Sequence, residues 1–226
     1  MKDFFKRKSA KMVSGIWDKG DREMEKFLEV NEYIDYNSEI IQSKVSELFS
    51  EKMNNVEKAK VAYEYVRDEI PHSFDCNAGI ITAKASDVLK YKTGICHAKA
   101  NLLAALLRSQ EIPTGFCFQR ITLMADDSMG YCVHAYNAVY LENRWIKLDA
   151  RGNKEGINAK FSLGEPILAY SVQQGYDEYF WKGIYAMPHL ETMEMLEVAK
   201  SLQDILDNIP DKITGTPDIS ENEIRF

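Results

Sequence analysis

The sequence predicts an α+β protein, and three observations carry that expectation. Apolar residues recur at helical spacing in the first half of the chain, on Ile41, Val45, Leu48 and Phe49 and again on Val56, Ala59, Tyr63, Val66 and Ile70. After Pro113 the period changes to two, with Phe116, Phe118 and Arg120 alternating with Cys117, Gln119 and Ile121. Between these regions Thr93-Gly94-Ile95-Cys96-His97 opens a strongly helix-forming run from Ala98 to Gln110. Helices gathered ahead of strands point to α+β rather than to an alternating parallel-sheet fold.

Composition narrows the class. The 226 residues are 45% hydrophobic and 28% charged, as in ordinary water-soluble domains. The net charge of −7 argues against general nucleic-acid binding, which favours a basic surface. No apolar run approaches a membrane span, so no membrane partner is expected. The start, Met1 to Lys11, is basic but lacks an apolar stretch behind it, so the sequence reads as cytoplasmic rather than secreted. Cys76, Cys96, Cys117 and Cys132 contain no CxxC pair and are expected as free thiols. The expected organisation is a single domain over 1–226, with a core at 56–150, a helical addition at 1–55 and an extension at 151–226. Nothing in the sequence sets an oligomeric state.

Met24, Phe27 and Leu28 suggest an amphipathic helix near Asp21–Val30. Asn37-Ser38 caps the helix carrying Ile41, and Asn54-Asn55 opens the next, which Pro71 closes. Residues 71–84 read as irregular. His72, Asp75 and Cys76 could reach a site from there, but His72 beside a helix end reads as a surface or capping residue and stays outside the candidate set. Ala85 to Lys90 forms a short helix, started near Ser86 or Asp87. Thr93 is placed to cap the cysteine helix, and Gly94 permits a close backbone approach. Strands are expected through about Leu123, from Tyr131 to Leu141, and from Arg144 to Asp149. Aromatic residues at 175–181 pack on the core. A helix follows Pro188 with Met195, Val198, Leu202 and Ile205 on one face, and the tail after Pro210 is loosely held.

Cys96 begins an apolar stripe with Ala100, Leu103 and Leu107. Burial as a core thiol is the plain reading of that position. The positive end of the helix also favours a thiolate, which permits a nucleophile. The hairpin favours the second reading. If Glu142-Asn143 is a two-residue turn, Leu141 pairs with Arg144 and Tyr136 falls opposite Asp149. His134 then shares a face with Asp149 and is its diagonal neighbour. A three-residue turn without a bulge would send Asp149 to the other side. Cys96, His134 and Asp149 thus form a candidate Cys-His-Asp triad of nucleophile, base and orienting carboxylate. The Cys96 N–H, free in the first helical turn, is a candidate oxyanion donor. Tyr91, the nearby phenol ahead of the helix, is the candidate for a second donor.

Three blocks then resemble the transglutaminase-like superfamily. The first runs from Thr82 to Leu89 and through Gly94-Ile95-Cys96 to Leu106-Leu107-Arg108 and Ile112-Pro113; the others are His134 to Tyr140, and Trp145 with Leu148-Asp149. The resemblance implies a papain-like fold with the cysteine helix packed against an antiparallel sheet. It implies Cys96 as nucleophile, His134 as base and Asp149 as orienter. Two positions depart from the pattern: Asn137 stands where a Trp near the His is common, and Glu111 replaces the Gly usual before Ile-Pro. These departures bear on substrate preference more than on catalysis.

The expected activity is a cysteine-dependent hydrolase, a peptidase or amidase, acting on a peptide or protein amide. Transglutaminase-type transfer from glutamine to an amine is the alternative, and a catalytically inactive binding module of the same fold is the other. No calcium loop of the D-x-D-x-D-G kind is present. Cys96, His97, Cys132 and His134 lack zinc-ligand spacing, and His97 reads as an exposed or capping neighbour, so neither metal nor cofactor is expected.

Overall fold

The computed structural model describes residues 24–124 and 126–224. The basic start, Met1 to Lys11, lies outside them. Helix α1 spans Glu39–Leu48 and α2 spans Asn55–Glu69. Asn54 caps α2 in a reciprocal capping box with Glu57, as its sequence position predicts. Ser38 occupies the cap position of α1, but its hydroxyl is buried without a partner among the described residues, so that helix starts without a side-chain cap. Ahead of α1, where a helix near Asp21–Val30 is expected, the described residues are helical at Met24 and Glu25 and continue as a 3-10 turn at Lys26–Leu28, with Phe27 buried and Glu29 extended. Helix α3 spans Ala85–Tyr91, and α4 spans Cys96–Arg108.

A four-stranded antiparallel sheet follows: β1 Thr114–Thr122, β2 Tyr131–Leu141, β3 Arg144–Leu148 and β4 Tyr179–Phe180, in the order β3-β2-β1-β4. Glu142 and Asn143 have φ of 50° and 63°, the left-handed pair that a two-residue type I′ turn requires. Leu141 pairs with Arg144 and Asn137 with Leu148, the register the two-residue turn dictates.

One face of the sheet presents Phe116, Phe118, Val133, Ala135 and Val139 to α4, whose Leu102, Leu103, Leu106 and Leu107 are all buried. At about 1.5–3 kcal/mol per buried leucine, this face fixes the helix far more strongly than any single polar contact. The other face presents Cys117, Tyr136, Ala138 and Trp145 to Phe27, Ile184 and Ala186. Covered on both faces, β1 is buried at every position. Gly115 is where the covering segment comes closest: a Cβ there would lie 2.5 Å from Ile184 and 2.9 Å from Phe27.

The C-terminal region differs from expectation in three ways. The helix after Pro188 is two helices, α5 Leu190–Val198 and α6 Leu202–Asn208, because Ser201 starts a new capping box with Asp204; Val198 is consequently exposed. Among the aromatic residues at 175–181, Tyr179 and Phe180 are on the surface as β4, while Trp181 packs partly on the core. The tail is held: Ile219 bridges Ile184, and the Asp218 carboxylate accepts from the Ala186 N–H at 2.7 Å. Among the described residues no helix is long and apolar enough to cross a membrane.

Candidate active site

Cys96 is the first residue of α4 and the one half-buried member of an otherwise buried helix. Gly94 allows this packing, since a Cβ there would meet the Ala98 Cβ at 3.1 Å and Val88 and Thr82 at 3.3 Å. The helix cap falls on Ile95, which offers no side-chain acceptor. Thr93 therefore does not cap; its hydroxyl turns to the Ser73 hydroxyl at 3.1 Å. The acceptor for the first helical N–H comes from elsewhere in the chain. The Cys96 N–H points at His72 Nε2, 3.2 Å away, which accepts it when the ring proton is on Nδ1.

The predicted trio comes together. His134 Nε2 lies 2.8 Å from Asp149 Oδ2, with both side chains buried. With Nε2 committed to the carboxylate, Nδ1 is the ring nitrogen left to face the Cys96 thiol, whose thiolate the imidazole favours. Asp149 is held from three directions, since its carboxylate also accepts the N–H groups of Ala169 at 2.9 Å and Arg151 at 3.1 Å. Tyr170 stands edge-on to the His134 ring, centroids 4.9 Å apart.

Electrostatics favour charge separation across this group. Burial opposes a charged His134, but Asp149 and Cys96 outweigh it and raise the imidazole to about 10. Burial likewise opposes a Cys96 thiolate, yet His134 and an N–H from Ala135 bring the thiol below its ordinary range. Asp149 is held low against burial by His134 and the two backbone donors. Cys117 and Cys132, which lack such partners in strength, are pushed up by burial to about 12.

These groups open on a cleft of about 500 Å³. Ile95, Ile121, Leu123, Met124, Ile157, Leu206 and Ile209 give it apolar walls, and Arg151, Lys154, Gln173 and Glu178 contribute polar groups. Arg151 joins Asp75 through both of its terminal nitrogens, and Lys154 reaches the same carboxylate at 2.8 Å. Arg151 Nε in turn holds the Tyr170 hydroxyl at 3.0 Å.

Several residues stand elsewhere than expected. Tyr91 ends α3, exposed and with Lys90 over its ring, and does not line the cleft. The N–H of Cys96 is engaged by His72 rather than free. His97 is buried, not exposed: on the helix face turned to the sheet, it stacks on Phe118 and its Nε2 meets the Val133 carbonyl at 2.8 Å. His72, left out of the candidate set, is buried and lines the cleft. Its signal in the sequence was the pairing of a His with Asp75 just after a helix-ending Pro71. Lys99, one helical turn after Cys96, is buried and caps the carbonyl of Ile70; burial, with the Arg151 cation, lowers it to about 7. Among the described residues no group of three or more His, Cys, Asp or Glu side chains is arranged to hold a metal.

Residues 42–150 match the model of the Transglutaminase-like superfamily. The match begins ahead of the expected core at 56 and takes in most of α1. No curated protein sequence matches the chain. Similar solved structures include the following two. One, from Cytophaga hutchinsonii and described as a putative cysteine protease, is 20% identical at a TM-score of 0.47, covering 60% of this chain and 43% of its own. The other, described as a TGase, is 14% identical at a TM-score of 0.37, covering 72% of this chain and 41% of its own. The similarity thus spans less than half the length of either protein. The segment that matches the Transglutaminase-like superfamily, residues 42–150, holds the cysteine helix and the hairpin after it.

Proposed function

We propose that the protein is a cysteine-dependent enzyme that hydrolyses amide or peptide bonds through an acyl-enzyme on Cys96. The observation that carries this reading is the buried His134–Asp149 pair at 2.8 Å beside Cys96, with His134 raised by Asp149 and Cys96 and the Cys96 thiol lowered by His134. A buried thiol without a function would have no need of a charged partner, as Cys117 and Cys132 illustrate.

The chemistry follows from that arrangement. The Cys96 thiolate attacks the amide carbon, forming the C–S bond and sending the carbonyl electron pair to oxygen. His134 delivers its proton to the leaving nitrogen as the C–N bond breaks. The ring, neutral again, takes a proton from water as it attacks the thioester, and the thiolate leaves. Asp149 keeps Nε2 protonated and Nδ1 facing the sulfur throughout. The apolar cleft walls suit a peptide segment carrying aliphatic side chains near the scissile bond.

Ammonia release from a glutamine-containing peptide, followed with and without a primary amine, tests the acceptor. Release that is independent of the amine and yields glutamate supports hydrolysis. A product that forms only with the amine attached contradicts it and establishes transamidation.

A further inference from the structure

We propose that His72 is a catalytic residue, the side-chain donor that joins the Cys96 N–H in binding the oxyanion. This assignment rests on the thiol-enzyme reading above and replaces Tyr91 in the expected role.

The argument starts from hydrogen-bond accounting at one ring. His72 is buried, lines the cleft, and places Nε2 at 3.2 Å from the backbone nitrogen of Cys96. Its Nδ1 is buried without a partner among the described residues. Burial, reinforced by the Arg151 cation, holds the ring neutral, well below the ordinary histidine range, so it carries a single proton. If that proton is on Nδ1, Nε2 accepts from Cys96 and a buried N–H is left unmatched. If it is on Nε2, two N–H groups face each other with no acceptor between them. Either tautomer leaves a polar hydrogen unsatisfied beside the nucleophile, and buried groups of that kind are costly.

A substrate oxygen resolves the second arrangement. Placed against both nitrogens, it accepts from Nε2 of His72 and from the Cys96 N–H together. The oxygen in question belongs to the carbonyl under attack, because one of its two donors is the backbone of the attacking residue itself. As the C–S bond forms, the carbonyl π pair becomes an oxygen lone pair, and both donors strengthen. No proton need leave His72 in this step; the proton for the leaving nitrogen comes from His134.

The ring is also built into place. The His72 main chain forms a parallel bridge with Gly94, and the Ser73 N–H donates to the Gly94 carbonyl at 3.2 Å. The following turn closes on the His72 carbonyl, which accepts from Asp75 at 2.8 Å and Cys76 at 3.2 Å. Phe74 stacks on the ring, centroids 6.0 Å apart. A donor held from both sides needs no reorganisation when charge develops, which is what makes such groups effective.

Two reactions of the same sulfur separate this role from others. Acylation of Cys96 by p-nitrophenyl acetate passes through an oxyanion; alkylation by iodoacetamide displaces iodide at a saturated carbon and does not. Both are measured on the full chain at the pH plateau of each variant, with Cys96→Ala as the blank. His72→Ala is expected to slow acylation by about 10²-fold, within the range for losing one oxyanion donor, and to leave alkylation within about threefold. His72→Gln, which keeps a side-chain N–H, is expected to recover part of the acylation rate. Equal losses in both reactions, no loss, or a faster His72→Ala variant overturn the assignment, the last by making the ring an obstruction. Wild-type protein that shows no acylation at Cys96 overturns the thiol-enzyme reading along with it.

Discussion

His134 and Asp149 meet at 2.8 Å although they are not opposite each other in the sheet. Asn137 pairs with Leu148, so Asp149 follows the last residue of β3 and approaches His134 diagonally. Its carboxylate accepts from the imidazole and from the N–H groups of Ala169 and Arg151. Asp149→Asn keeps the shape but supplies one oxygen for three donors. Hydrolysis is expected to fall by about 10²–10⁴-fold as the imidazole loses its tautomer. The midpoint of urea unfolding should also move down, by about 1–3 kcal/mol of stability, because a buried N–H loses its acceptor. A variant of unchanged activity would remove Asp149 from the site.

The proposed pairing of a Cys96 thiolate with a protonated His134 predicts two different pH profiles. Alkylation of Cys96 depends only on thiolate, so it should rise below the ordinary thiol range and then stay level. Amide hydrolysis also needs a proton on His134, so it should fall as the imidazole deprotonates at about 10. Stopped alkylation assays and hydrolysis rates over pH 5–11 (roughly the span of the ordinary His and Lys values) compare the limbs directly. Two superimposable profiles would contradict the role given to His134.

Stability has a pH dependence of its own, and two buried groups oppose each other in it. His134 is raised on folding, so its contribution is present below the ordinary histidine value and is lost as pH climbs through about 10. Lys99 is lowered to about 7, so between there and its ordinary value of 10.5 the unfolded chain binds the extra proton and stability rises with pH. Lys99→Met removes the second effect alone. Its deficit relative to wild type should widen from pH 7 to pH 10 in urea titrations (the interval set by the two lysine values). A constant deficit would mean that Lys99 stays charged in the fold.

Asp75 anchors the polar wall of the cleft. Burial would raise it, but Arg151 and Lys154 hold it at about 2. Its stabilising contribution is therefore present above the ordinary carboxylate range and lost as pH falls through about 2. Asp75→Asn leaves the buried Arg151 without its counter-charge and frees the Tyr170 hydroxyl's partner to move. Partial solvent access to Asp75 moderates the cost to about 1–3 kcal/mol. The expected kinetic signature is a higher KM with a smaller change in kcat; the reverse split would place Asp75 in the chemical step.

Gly115 tests the covering of the sheet by the C-terminal segment. A methyl group there meets Ile184 at 2.5 Å and the Tyr185 carbonyl at 2.9 Å. Gly115→Ala should lower stability by about 1–3 kcal/mol and lower Tm, since neither neighbour is a flexible side-chain end. A neutral substitution would show that residues 184–185 do not pack on β1 as described.

Much of the site's geometry was legible from local rules. Asn54 followed by Glu57 marked a helix start, and the turn at Glu142-Asn143 fixed the hairpin register even without a glycine. That register alone put Asp149 on the face of His134. What local rules missed depends on distant segments. His72 reaches Cys96 through a bridge to Gly94, and no periodicity announces such a contact. Ala169 and Tyr170 come from an irregular stretch outside the matched family segment, where hydrophobic spacing carries no information about direction. Thr93 had the chemistry of a cap, but α4 begins too late for it to serve. The same effect of context turned His97 inward, because the sheet, not the helix sequence, decides which side of α4 is dry.

The central claim, that Cys96 is an activated thiol paired with His134, is tested most directly by site-resolved iodoacetamide labelling near neutral pH. The account predicts that Cys96 is alkylated well ahead of Cys76, Cys117 and Cys132 in the native protein, and that His134→Ala abolishes the preference. Equal slow labelling at all four thiols, or a preference for Cys96 that survives His134→Ala, would contradict it.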